Sequence, residues 1–156
     1  MKQFSWILLI IIFILGDQWT KNLVVNNLEL YERVNITSFF DITLLYNTGA
    51  AFSLFAFDTG SQRIPLILIS IFVSVYLLGF LIKHASSNHC ALNLSISMIA
   101  GGALGNLVDR ITQGYVVDFL LCYYENWYFP AFNVADSLIT IGMMIFLIEN
   151  FMIKDR

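Results

Sequence analysis

Residues Ile64–Ile82 read IPLILISIFVSVYLLGFLI, nineteen positions without a charge. A helix needs about 20 mostly apolar residues to cross a bilayer, and this run meets that length. Pro65 suits a first helical turn, while Lys83 and His84 close the segment at a polar boundary. Working outward, Ala91–Val108 is a second such run, with small residues at Ala100, Gly101, Gly102, Ala103 and Gly105. Small residues let helix backbones approach closely in lipid, so this helix is expected inside the bundle. A third run, Val134–Ile153, ends at Lys154 and Arg156. Phe4–Gly16, after Lys2, has the length of a signal-peptide core, but no small-x-small cleavage pattern follows it. The apolar pattern instead continues past Asp17 and Lys21 to Val25. Those two residues are four apart and share a helical face. One retained helix over about 4–25 is the expectation.

Composition agrees. Hydrophobic residues make up 58%, charged residues 12%, and the mean hydropathy is +0.76. An average globular chain has about 45–50% and about 25%. A net charge of −3 leaves no polycation for phosphate, which argues against nucleic acid. Cys90 and Cys122 make no disulfide framework. The expected fold is therefore an all-α polytopic membrane protein, one domain over 1–156. Its helices lie at about 4–25, 64–82, 91–108 and 134–153, with outer segments at about 26–63 and 109–133.

Four spans put both termini on one side. Lys2, Lys83, Lys154 and Arg156 lie in short segments there, so the positive-inside rule makes that side cytoplasmic. Of the outer segments, Val34–Tyr46 is rich in β-branched and aromatic residues. A turn is expected at Asn47-Thr48-Gly49, followed by Ala50–Phe55, giving a small antiparallel sheet. Ile111–Asn133 carries eight aromatics in 23 residues, a density that fits an interfacial belt at headgroup level.

Ionisable groups near membrane helices are costly and point to function. Asn106, Asp109 and Arg110 lie in GNLVDR, Asp118 in YVVDFL, and Asn133 with Asp136 in FNVADS. Each has a structural alternative. Asn133 and Asp136 suit a helix cap with a first-turn acid, worth about 1 kcal/mol. Asp109 and Arg110 suit an interfacial ion pair. Asp118 stands among Val116, Val117, Phe119 and Leu120 with no cap geometry and no local cation, so it needs a distant partner. Asp118 and Asp136 matter most as a pair. Two carboxyls in contact do not both ionise easily, so one keeps a proton while the other acts as base. That suits amide hydrolysis, with Asn106, Arg110 and Asn133 as donors to the pair or to the oxyanion.

Other chemistries fit poorly. His84 and His89 lie away from the acids with no HExxH pattern, so no metal site is expected. No GxSxG or SxxK is present. Two non-hydrolytic readings stay open on the residues alone: a small transporter or channel subunit using the paired aspartates as a proton or cation site, and an assembly factor docking a partner on its aromatic segment.

Five ordered motifs carry a resemblance over essentially the whole chain: Asp17-Gln18-x-Thr20-Lys21, Asn47-x-Gly49-Ala50-Ala51-Phe52, Gly105-Asn106-x-x-Asp109-Arg110, Val116-Val117-Asp118-Phe119 and Phe132-Asn133-x-Ala135-Asp136-Ser137. With these the chain resembles the bacterial lipoprotein signal peptidases (signal peptidase II), four-helix aspartic proteases of the inner membrane. The resemblance implies Asp118 and Asp136 as catalytic dyad, with Asn106, Arg110 and Asn133 as supporting shell and Arg110 also holding substrate backbone. It puts Asn47 and Gly49 on an extracytoplasmic cradle-like sheet that contacts the peptide. Asp17, Lys21 and Asp109 become structural or lipid-adjacent. The implied substrate is a prolipoprotein carrying diacylglycerol on a cysteine, cut on the amino side of that cysteine. No metal or cofactor is implied. Membrane lipids and globomycin-type inhibitors are the other expected partners, and a monomer is expected.

Overall fold

The computed structural model describes residues 2–49, 62–84 and 90–154. The elements run α1 (Lys2–Asn27), β1 (Arg33–Thr37), β2 (Phe40–Asn47), α2 (Arg63–His84), α3 (Cys90–Thr112), β3 (Val116–Tyr124), β4 (Trp127–Tyr128) and α4 (Val134–Lys154). Among the described residues, four helices are long and apolar enough to cross a membrane. Their sidedness is inverted relative to a soluble bundle. On α1, Phe4, Leu8, Ile12, Leu15 and Trp19 face outward, whereas Asp17 and Lys21 are buried. An apolar exterior around a polar interior is stable when the surroundings are hydrocarbon.

The central helix is α3, which packs against α1, α2 and α4. Its glycines permit this. A Cβ on Gly102 would stand 2.4 Å from the Ala135 carbonyl oxygen, so α3 and α4 touch backbone to backbone there. Helix α3 runs one turn further than 91–108, so Asp109 and Arg110 lie within it. It stops where Gln113 N–H and Gly114 N–H both donate to the Asp109 carbonyl. Gly114 takes φ +87, a left-handed value that ends helices cheaply only at glycine. Arg63, at the start of α2, donates to the carbonyls of Arg110 (3.0 Å) and Ile111 (3.1 Å), satisfying the helix end.

One antiparallel four-stranded sheet, order β1-β2-β3-β4, lies at the same end of the bundle. The first hairpin turns at Ser38-Phe39, between the paired Thr37 and Phe40; the stretch 50–55, expected to follow a turn at Asn47-Thr48-Gly49, lies outside the described residues. The aromatic segment supplies strands β3 and β4, joined by Glu125-Asn126 with Glu125 at φ 52. Aromatic and β-branched side chains pack well on a pleated surface, which is why that segment folds as strands. Arg33 ties the sheet together by pairing with Asp41 (2.6 Å) and lying over the Tyr123 and Tyr128 rings.

The pairing of β2 with β3 contains an irregularity that positions the site. Ile42 pairs with Leu120, but Leu45 pairs with Asp118, so β2 has one extra residue between them. A strand alternates faces with period two, and one extra residue moves everything beyond it to the other face. Beyond the bulge, Asn47 shares the face of Asp118. Without it, Asn47 would point away.

Candidate active site

Asp118 is the third residue of β3 and is 3% exposed. Its missing local cation is replaced by two amides. Asn47 Nδ2 donates to Oδ2 (2.9 Å) and Asn133 Nδ2 to Oδ1 (2.7 Å). Burial, and next the charge of Asp136, push the Asp118 carboxyl up to about 7 despite these donors. Near neutrality it therefore holds a proton for much of the time.

Asp136 enters from the first turn of α4. Asn106 Nδ2 donates to its Oδ1 (2.8 Å), and Asn133 N–H reaches Oδ2 at 3.3 Å. In return, Asp136 N–H donates to Asn133 Oδ1 (2.9 Å), which is reciprocal capping of a helix start. The cap geometry expected of Asn133 is present. The side chain that caps α4 also places its Nδ2 on the Asp118 carboxyl, so Asn133 links the first turn of α4 to β3. Asn133 is fully buried.

Asn106 Oδ1 accepts from Lys21 Nζ (2.9 Å) and Asn133 Nδ2 (3.2 Å). Lys21 also pairs with Asp17 (2.8 Å) and Asp109 (2.8 Å). Asp17 and Lys21 are buried inside the bundle at 0% and 3% exposure and pair as their four-residue spacing allows. Asp109 pairs across helices with Lys21 and accepts from Gln18 Nε2 (2.7 Å), and is not the interfacial ion-pair partner of Arg110. A helical neighbour at i+1 points to a different face, whereas the ammonium of α1 lies directly opposite. Arg110 donates instead to the Gly49 carbonyl (3.0 Å), and Gly49 N–H donates to Asn47 Oδ1 (2.9 Å). Arg110 therefore steadies the loop that holds Asn47, while its charge also acts on Asp136 and Asp118.

Sequence reasoning missed one participant, Gln18, which is only part of a motif yet bonds Asp109 and the Gly105 carbonyl. Asn47, named only through the resemblance as supporting or substrate-binding, touches Asp118 itself. Its signal is an amide at a strand end beside a glycine, which is too common to single out. Beside the pair lies an apolar cavity of about 410 Å³ lined by Phe129, Phe132, Asp136, Ile139 and Ile141 among others. Among the described residues no group of His, Cys, Asp and Glu is arranged to hold a metal ion.

Two carboxyls, one buried and one half-buried, held by amides and sharing the partner Asn133 at one end of a four-helix membrane bundle define a class, that of membrane aspartic hydrolases. Comparison with known proteins narrows it. The family model described as "Signal peptidase (SPase) II" matches residues 9–152. A lipoprotein signal peptidase of Neisseria meningitidis serogroup C is 43% identical over 150 residues, covering 96% of this chain and 90% of its own length. One from Pseudoalteromonas atlantica is 43% identical over 154 residues, covering 99% and 92%. A solved bacterial membrane enzyme superposes with a TM-score of 0.84 at 31% identity, covering 94% of this chain and 87% of its own. A second gives 0.80 at 32%, covering 93% and 91%. The chain belongs to the signal peptidase II family, whose members are membrane aspartic proteases. The transporter alternative is not supported by any of these matches.

Proposed function

We propose that this protein removes the signal peptide from prolipoproteins already carrying diacylglycerol on a cysteine, cutting on the amino side of that cysteine, with Asp118 and Asp136 as the catalytic pair. The observation that carries the reading is the convergence of Asp118, from β3, and Asp136, from α4, on Asn133, whose side-chain Nδ2 donates to the Asp118 carboxyl and whose backbone N–H reaches the Asp136 carboxyl. A carboxyl that keeps its proton near neutrality stands beside one dressed by amide donors, and such a pair divides acid and base work. Asp136 takes a proton from water as its oxygen attacks the scissile carbonyl. Asp118 gives its proton to the carbonyl oxygen. In the collapse of the tetrahedral species the C–N bond breaks, the departing nitrogen receives the proton held by Asp136, and Asp118 recovers its own. The Arg110 guanidinium favours the charge that develops nearby. The apolar cavity beside Asp136 suits a substrate that arrives from the lipid phase.

The same reading puts the protein in the bacterial inner membrane as a monomer, with both termini cytoplasmic and the pair near the outer face, supported by the distribution of lysine and arginine. Globomycin-type cyclic peptides are expected to inhibit. Purified protein incubated with a lipidated precursor should yield a shorter product on a gel, and the unlipidated precursor should stay intact. An unprocessed lipidated precursor would refute the reading. A reporter active only outside the cell, fused after Arg156, should stay silent; activity there would overturn the assigned topology.

A further inference from the structure

One ammonium beside the aspartate pair uses all of its protons. Lys21 Nζ donates to Asp17 Oδ2, Asp109 Oδ2 and Asn106 Oδ1 at 2.8, 2.8 and 2.9 Å. A lysine has three donors, so the group is saturated and admits one position. The consequence falls on Asn106. The two senses of a side-chain amide have nearly the same shape, and hydrogen bonds alone choose between them. Turned the other way, the Asn106 NH2 would face the Lys21 ammonium, and its oxygen would face a carboxylate. The ammonium at Oδ1 therefore holds Nδ2 towards Asp136 Oδ1, 2.8 Å away.

Asp17 reaches α4 by a second route. Its Oδ1 accepts from Ala135 N–H (2.9 Å), immediately before Asp136. Its Oδ2 occupies the space that a side chain on Gly105 would need, since a Cβ there would stand 2.7 Å from that oxygen. Helix α1 thus fixes both the carboxyl and the backbone of the first turn of α4.

We propose that Lys21, with Asp17, is a positioning unit for the reaction: it sets the sense of the Asn106 amide, which occupies Asp136 Oδ1 and leaves the weakly held Oδ2 to receive the proton of water. The proposal rests on the reading of Asp118 and Asp136 as the catalytic pair. No proton passes through Lys21, so its loss should slow turnover and leave substrate binding in place. A residue that serves only the fold would instead lower the amount of folded protein without changing turnover per folded molecule.

The test uses two variants of the full chain in detergent, assayed on lipidated precursor against wild type. Lys21→Met with Asp17→Asn removes one charge of each sign, so the Asp17–Lys21–Asp109 cluster keeps its net charge, and an amide at 17 still accepts from Ala135. Its kcat per folded molecule should fall by about tenfold or more, with KM within about twofold. Lys21→Arg keeps the charge and secures folding, but a planar fork does not place three donors at one point. It should recover part of the lost kcat. Wild-type kcat in both variants, or a loss confined to KM, would overturn the positioning role. Failure of the wild-type protein to cleave would overturn the catalytic reading beneath it, which keeps the two failures distinct.

Discussion

Replacing Asp118 by Asn should abolish cleavage and, at alkaline pH, make the protein more stable. The carboxyl is 3% exposed and raised from 3.8 to about 7 by burial and the charge of Asp136. Between those values the folded protein holds a proton that the unfolded chain releases, so stability is fully present below 3.8 and is lost as pH rises through about 7. At about 1.4 kcal/mol per pH unit, the gap costs the fold about 4 kcal/mol above that window. Asn at 118 never ionises and avoids this cost. It carries one of its own. Wild-type Asp118 accepts from both Asn47 and Asn133, whereas Asn offers one oxygen and turns its NH2 towards the other donor. Asn47 does not simply flip, because its Oδ1 is held by Gly49 N–H. A buried unsatisfied donor costs about 1–3 kcal/mol. The variant should therefore be less stable than wild type by about 1–3 kcal/mol at pH 4, and more stable by a similar amount at pH 8. Unfolding followed by circular dichroism in one detergent at pH 4, 6 and 8 measures the difference. Titrations common to both proteins largely cancel. A difference that stays constant with pH, or that moves in the opposite direction, would refute the buried proton on Asp118.

The remaining expectations concern the groups around it. Asp136→Asn should also abolish cleavage, and the double variant with Asp118→Asn should be scarcely slower than either single one, because the pair acts as a unit; additive losses in a single-turnover assay would count against a dyad. Asn133→Ala removes a cap worth about 1 kcal/mol, but it also takes an amide donor from the Asp118 carboxyl, so turnover per folded molecule should drop by about tenfold or more. Full turnover in the surviving folded fraction would leave only the cap. Gly105→Ala drives a methyl to 2.7 Å from Asp17 Oδ2, and overpacking of that kind costs about 1–3 kcal/mol. An unchanged unfolding midpoint would show that α1 is not tightly docked there.

The spans were legible because a bilayer imposes a length and a composition on contiguous residues, and Ile64–Ile82 meets both. Asp118 was legible for the opposite reason, as a carboxyl among valines and leucines with nothing nearby to justify it. What failed depends on distance in the chain. Asp109 looks like a partner of Arg110 because the two are adjacent, yet its ammonium comes from Lys21, far away in sequence. The reversal at Ser38-Phe39 breaks a stretch, Val34–Tyr46, that reads as continuously β-prone, and only the pairing of β1 with β2 reveals it. The bulge between Ile42 and Leu45 leaves no mark in the sequence, since both neighbours are ordinary strand residues. Only the fit of β2 to β3 decides it, and that fit turns Asn47 from a surface amide into a ligand of Asp118.

The polar end of the bundle is also a problem of charge. Asp17, Asp109, Asp118 and Asp136 gather there around two cations, Lys21 and Arg110. With every group ionised the cluster carries an excess of two negative charges in surroundings that solvate charge poorly. Lys21 offsets one of the two carboxylates it touches, and Arg110 spreads its charge over the side of Asp118 and Asp136. A proton is the smallest remaining counterion. Burial on β3 and the neighbouring charge of Asp136 push the Asp118 carboxyl up to about 7, so that carboxyl can take the proton near neutrality even though Lys21 and its two amide donors favour the charged form.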